Sequence, residues 1–111
     1  MKRLIINADD CNLTPGVTRG ILLAHDRGIV TSTTLLINLP LEDKTLRELK
    51  RRKTFGVGLH LNVTLGTPLI SPTRIPSLVK SDGRFRRPAD YLKKAPSGKE
   101  LTREYEAQIR L

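Results

Sequence analysis

The sequence predicts an α/β fold in which parallel strands alternate with helices. Three observations carry that reading. Runs rich in β-branched residues recur three times in the first 64 residues. Each run ends in turn-forming residues, and stretches with helical apolar spacing separate one run from the next. Such alternation is the signature of βαβ units and a parallel sheet.

Residues 3–8 (RLIINA) form the first run, which predicts a buried strand that stops at Asp9-Asp10-Cys11-Asn12. Thr14-Pro15 then opens a helix, with Thr14 as N-cap and Pro15 in the first helical position. Val17, Ile21 and Ala24 make its apolar stripe, widened by Leu22 and Leu23. Gly28 stands where a left-handed C-terminal cap is expected. Residues 29–37 (IVTSTTLLI) predict a second strand, broken by Asn38-Leu39-Pro40. Residues 41–53 predict a second helix, with Leu41, Thr45, Leu46 and Leu49 on one side. Residues 57–63 (VGLHLNV) predict a third strand.

After Thr64 the pattern changes. Gly66, Pro68, Pro72 and Pro76 mark a loop region over about 65–96. Within it, Ser81-Asp82-Gly83-Arg84 predicts a turn between short extended pieces at 77–80 and 84–86. Ser97-Gly98-Lys99-Glu100 has the form of a capping box. It predicts a helix over about 97–111, with Leu101, Tyr105 and Ile109 at fourfold spacing. The three parts (βαβαβ to about 64, loop region, terminal helix) are expected to belong to a single domain.

A chain of 111 residues with 38% apolar and 28% charged residues can bury a modest core. Trp is absent, so that core must rest on Leu, Ile and Val. Cys11 is the only cysteine, which excludes an internal disulfide and fits a reducing compartment. The apolar run at Leu4–Ile6 is too short for a signal-peptide core, and none approaches the ~20 residues that span a bilayer. A cytoplasmic location without membrane contact is the expectation. The net charge of +9 raises a nucleic-acid reading. However, the excess collects at Lys44–Lys53, with six basic residues, and at Arg74–Lys99, with eight, while the first 40 residues are nearly balanced. The charge lies away from the chemical motifs, so a solvated surface is the preferred reading and a nucleic-acid partner is disfavoured. A homo-oligomer is left open.

Asp9 and Asp10 follow an apolar strand directly, and the C-terminal ends of parallel strands are where ligands bind. Adjacent carboxylates repel, so a cation or a retained proton must make them tolerable. The bland alternative has one Asp as a cap and the other solvated. His60 falls toward the end of the third predicted strand, at the same end of the sheet as the two carboxylates. An Asp-plus-His set suits Mg²⁺, Mn²⁺, Fe²⁺, Co²⁺ or Zn²⁺ without selecting among them. Cys11 reads as apolar filler rather than a thiolate ligand, and His25 as a helix C-terminal charge. Asn7, Asn38 and Asn62 each fall near a predicted strand end and could line one rim.

Taken in order, Asn7-Ala8-Asp9-Asp10, Thr14-Pro15-Gly16-Val17, Arg19-Gly20-Ile21, Gly28–Thr34, Gly58-Leu59-His60-Leu61-Asn62 and Pro76-Ser77-Leu78-Val79 resemble the YdjC-like carbohydrate deacetylases, which include chitooligosaccharide deacetylases. The resemblance implies the N-terminal portion of an irregular (β/α) barrel of the glycoside hydrolase/deacetylase type. It also implies removal of an N-acetyl group from an amino sugar with the help of a divalent metal, Mg²⁺ by preference, with Zn²⁺ and Mn²⁺ as alternatives. On it, Asp9 is the general base, and Asp10 and His60 are metal ligands. Two departures stand out. The family pattern continues Phe-Gly where this chain has Cys11-Asn12, which removes a residue free to take positive φ. A complete barrel needs ~250 residues, and the family's remaining metal His lies in a later segment.

A metal at Asp10 and His60 would polarise the amide carbonyl while Asp9 takes a proton from water. No acid for the departing amine stands out in the sequence. Two other readings remain: a basic, non-catalytic half-barrel that binds sugars or nucleic acid, and a truncated fragment with no activity of its own.

Overall fold

The computed structural model describes residues 2–111, and these fall into two compact units, one up to His60 and one over 61–111. The first unit is a βαβαβ succession: β1 Asn7–Cys11, α1 Pro15–Arg27, β2 Ser32–Leu35, α2 Asp43–Arg51 and β3 Gly56–Leu59. The strands are parallel in the order β1-β2-β3. Thr33 and Leu35 of β2 are buried, while Ser32 and Thr34 lie on the more open face, as period-two alternation requires.

Local chemistry accounts for the helices. Thr14 is the N-cap of α1, and its Oγ1 accepts from the Val17 amide at 3.1 Å. Thr18, Ile21 and Leu22 bury the inner side of α1. With Cys11, Leu35, Leu49 and Phe55, the residues Ile21 and Leu22 form one core, against which Ala8, Val17, Val30 and Leu41 pack. His25 stacks on Phe55 with ring centres 4.3 Å apart and Nδ1 2.8 Å from the Val30 carbonyl. It is a structural residue.

Gly28 closes α1, but its φ of −127° is not left-handed. Its lack of a side chain matters for another reason: a Cβ there would lie 2.6 Å from the Ala24 carbonyl oxygen. The first strand also begins later than its apolar run predicts. Leu4 and Ile5 are 77% and 79% exposed, and β1 starts only at Asn7. β1 is an edge strand here, so residues before it find little to pair with except at Ile6, whose carbonyl accepts from the Thr31 and Ser32 amides.

Arg52, inside the basic run, is not a solvated charge. Its guanidinium pairs with Asp26 of α1 at 2.5 Å and with Glu48 at 2.9 Å, and its side chain is 10% exposed. It ties the end of α2 to α1. The ion pair holds Asp26 and Glu48 below the usual carboxylate range.

The second unit packs Ile75, Leu78 and Phe85, with Val63, Ile70, Val79, Tyr91 and Leu101 around them. Its helices are a 3₁₀ turn at Pro72–Arg74, α3 Pro88–Lys93 and α4 Gly98–Arg110. The turn at 81–84 is present: Gly83 has φ +77°, and Val79 and Phe85 form an antiparallel bridge across it.

Two expectations for α4 need correction. Ser97 is its N-cap residue but makes no side-chain capping bond. Glu100 instead accepts from the Ser77 amide at 2.7 Å. The buried face is not the Leu101–Tyr105–Ile109 stripe either, since Ile109 is 64% exposed while Glu104 and Gln108 are fully enclosed. Glu104 accepts from the amides of Leu69 and Ile70, and Gln108 binds both the amide and the carbonyl of Asn62. These are loop amides with no strand to pair with, so the helix supplies their acceptors. No helix among the described residues is long and apolar enough to cross a membrane.

Candidate functional site

The site forms where β1 changes register. Asn7 aligns with Ser32 and Ala8 with Thr33, but Cys11 aligns with Leu35. Three steps along β1 therefore face two along β2, which is a β-bulge. A bulge adds a residue, kinks its strand and re-aims a side chain. Asp10 sits in that bulge with φ +67°. In an unbroken strand, Asp9 and Asp10 would point to opposite faces. Here both carboxylates reach the same chain of polar contacts.

That chain runs on the open face from β1 across β2 to the residue that follows β3. Ser32 Oγ donates to Asn7 Oδ1 at 2.8 Å, and Asn7 Nδ2 donates to Asp9 Oδ1 at 2.7 Å. Thr34 Oγ1 donates to the same Asp9 oxygen at 2.8 Å and lies 3.1 Å from His60 Nδ1. His60 Nδ1 is in turn 3.4 Å from Asp10 Oδ1. His60 stands one residue past β3, and its amide bonds the Leu35 carbonyl at 2.9 Å, extending the ladder. Gly56 and Gly58 precede it at the same side-chain parity, so that part of the face is bare. The His60 and Asp10 side chains are 31% and 49% exposed, so the site is an open rim.

The turn after the bulge is held by Asn12, which also has positive φ, +76°. This is the position at which the family pattern has Gly. Asparagine tolerates the left-handed region, and here its amide also donates to the carbonyls of Leu36 and Leu39. Its own backbone amide bonds Thr18 Oγ1. The turn therefore survives without glycine and gains a tie to the end of β2.

Cys11 does not join the site. It is fully buried in the core of the first unit. Burial pushes its thiol up, against smaller opposing effects from Thr18 and Thr33, so it is a poor source of thiolate. Of the three asparagines, Asn7 belongs to the site. Asn38 is buried, and Asn62 shapes its own loop, accepting from the Thr64 and Leu65 amides. Local pattern gives Ser32 and Thr34 no role at the site. The available signal was parity: Asn7, Asp9, Ser32 and Thr34 all share one face once β1 and β2 are paired from Asn7 and Ser32.

One carboxylate and one imidazole side by side fit a divalent cation in donor type. They make only part of a shell, because such ions take four to six or more ligands. Among the described residues, no group of three or more His, Cys, Asp or Glu side chains is arranged to hold a metal ion by itself.

The model of the YdjC-like protein family matches residues 3–111. This chain belongs to the YdjC-like family. It is 42% identical over 107 residues to a protein named carbohydrate deacetylase from Brevibacillus brevis, covering 96% of this chain and 42% of that one. A carbohydrate deacetylase from Halalkalibacterium halodurans is 40% identical over 110 residues, covering 96% of this chain and 46% of the relative. A crystal structure from Enterococcus faecalis V583, named for cellobiose-phosphate cleavage, superposes with a TM-score of 0.88 at 38% identity. That match covers 96% of this chain and 41% of the other. The YdjC-like chain described here thus spans less than half the length of the relatives it matches.

Proposed function

We propose that this chain carries part of the site of a metal-dependent carbohydrate deacetylase, which hydrolyses the N-acetyl group of an amino sugar or chitooligosaccharide. The observation that carries the reading is the bulge in β1, which puts both carboxylates within one chain of contacts that ends at His60. The names of the relatives support the reaction class.

In this reading Asp10 and His60 hold a divalent cation, Mg²⁺ by preference, with Zn²⁺ or Mn²⁺ as alternatives. Such a cation supplies polarisation of the amide carbonyl and eases the ionisation of water. Asp9 is the general base. Asn7 and Thr34 both donate to Asp9 Oδ1, so that oxygen is occupied and the carboxylate is held in one orientation. Its other oxygen is the one that takes the proton from the attacking water. Orientation matters because a base must lie within hydrogen-bond reach of the proton it removes.

The test uses a protein of the relatives' length that contains these 111 residues. Acetate release from N-acetylated chitooligosaccharides should fall ~10²–10⁴-fold in kcat for Asp9→Asn, with metal content unchanged. His60→Ala should instead lower metal occupancy. A parent protein that holds its metal and releases no acetate from these substrates would overturn the reading.

A further inference from the structure

We infer that the hollow between the β1–α1 turn and the β2–α2 connection is a subsite for a second sugar unit, so that the site takes an oligosaccharide in preference to a single amino sugar. The inference rests on the deacetylase reading above and adds a binding place that this reading does not use.

Position is the first argument. The Leu13 amide donates to the Asp10 carbonyl at 3.0 Å and closes a turn. Asp10 opens that turn, and Leu13 at its other end lines the hollow. The facing wall is Leu39 and Pro40, from the connection that follows β2. Both walls therefore rise from the C-terminal ends of parallel strands, where ligands of such folds bind. Asn12 ties one wall to the other, because its side-chain amide donates to the Leu36 and Leu39 carbonyls. The hollow is thus formed before any ligand arrives, and a single turn separates it from the proposed metal ligand.

Chemistry selects the occupant. The hollow holds about 230 Å³, below the ~300–1,000 Å³ of most ligand pockets, and suits one ring. Leu13, Leu39 and Pro40 offer apolar surface to the C–H face of a pyranose. Thr14, Glu42 and Thr45 supply the polar groups. Thr14 Oγ1 accepts from the Val17 amide and keeps its own proton to donate. The Thr45 hydroxyl and the Glu42 carboxylate have no partner among the described residues. A phosphate or other anion would be repelled by Glu42, and a cation would find only that one carboxylate. A wholly apolar ligand would cover these groups without bonding them, at the cost of their hydration. A neutral ring bearing hydroxyls satisfies all of them. Glu42 and Thr45 also line the groove between α1 and α2, which gives a longer glycan a continuing path.

The first experiment is an NMR titration of the metal-free 111-residue chain with ¹³C-labelled methyl groups. Diacetylchitobiose and cellobiose, at millimolar concentration, should both shift the Leu13, Leu39 and Thr45 methyl signals saturably. Cellobiose lacks the acetamide, so its binding reports the ring alone. Inorganic phosphate should leave those signals in place. Thr45→Phe fills the hollow and should weaken disaccharide binding about tenfold or more, and Thr45→Val, which removes only the hydroxyl, several-fold. In a protein of the relatives' length containing these residues, Thr45→Phe should raise KM for diacetylchitobiose about tenfold with kcat unchanged, and leave KM for N-acetylglucosamine unchanged. The inference is overturned if neither disaccharide moves those methyls, if phosphate moves them instead, or if Thr45→Phe binds and turns over diacetylchitobiose as the parent does. Should Thr45→Phe not fold, parent-like binding by Thr45→Val overturns it equally. Saturable binding in the hollow without acetate release would defeat the deacetylase reading alone. Acetate release at an unchanged KM in Thr45→Phe would defeat the subsite alone.

Discussion

At the scale of single residues, two backbone angles decide the chemistry. Asp10 and Asn12 have φ of +67° and +76°, a region that costs most L-residues ~1–2 kcal/mol. Asp and Asn visit it more readily than others because their short polar side chains bond locally. Asp10→Gly should therefore unfold at a higher denaturant concentration than Asp10→Ala, although both remove the same carboxylate. Equal midpoints would show that the angle stores no strain. At position 12 the backbone and the side chain contribute separately. Asn12→Gly keeps the angle and loses two donors to the Leu36 and Leu39 carbonyls. Asn12→Ala loses both, and should be the less stable variant by ~1 kcal/mol or more in urea titration. Cys11→Phe should destabilise by ~1–3 kcal/mol, because Cys11 is already fully enclosed and the core must move to accept a ring.

At the scale of elements, caps and ion pairs carry the testable content. Arg52 joins the end of α2 to α1 through Asp26, and its positive charge lowers the Asp26 and Glu48 carboxyls. A carboxyl whose folded-state value lies below its unfolded one adds stability above the ordinary carboxylate range. That contribution is lost as pH falls through the depressed value. The stability gap between the parent and Asp26→Asn should therefore be present near neutral pH and close in strong acid, as followed by denaturant titration across pH. A gap independent of pH would mean that the contribution is packing rather than charge. In α4 the decisive residue is Glu104. It meets the Leu69 and Ile70 amides and the Gln108 side chain from a fully buried position. Glu104→Ala strands those donors, and should cost ~2–5 kcal/mol, more than Ile109→Ala on the exposed side of the same helix. Melting of both variants by circular dichroism separates a polar anchor from a surface position.

At the scale of the whole molecule, the sheet formed by the described residues has three strands, with β1 and β3 at its edges. Exposed edges offer unpaired amides and carbonyls to other chains. Leu4 and Ile5 add apolar surface beside β1. The isolated chain is expected to self-associate, and sedimentation velocity over a range of concentrations checks it. A monomer at every concentration would show that the edges are adequately protected. The proposed metal binding is tested at this scale too. With Asp10 and His60 as the converging donors, calorimetry on this chain should find weak binding of Mg²⁺ or Zn²⁺. Tight stoichiometric binding abolished by His60→Ala would show that two donors and solvent suffice.

Sequence alone determined the order of strands and helices up to His60, the Thr14 cap, the turn at Gly83, and the placing of Asp9, Asp10 and His60 near strand ends, while α3 at Pro88–Lys93 fell in what it read as loop. These follow from local rules of apolar period, capping and turn chemistry, which neighbours along the chain satisfy without help. Tertiary structure decided the rest. The bulge exists only because β1 is paired with β2, and it alone brings Asp10 to His60. Thr34 is an ordinary strand residue until β1 and β3 are laid beside it. Glu104 and Gln108 look like the solvated side of an amphipathic helix, and they are buried because the loop from Asn62 to Ile70 has backbone amides that need acceptors. In each case the deciding partner is distant in sequence, and no local pattern records a hydrogen bond that forms only when two segments meet.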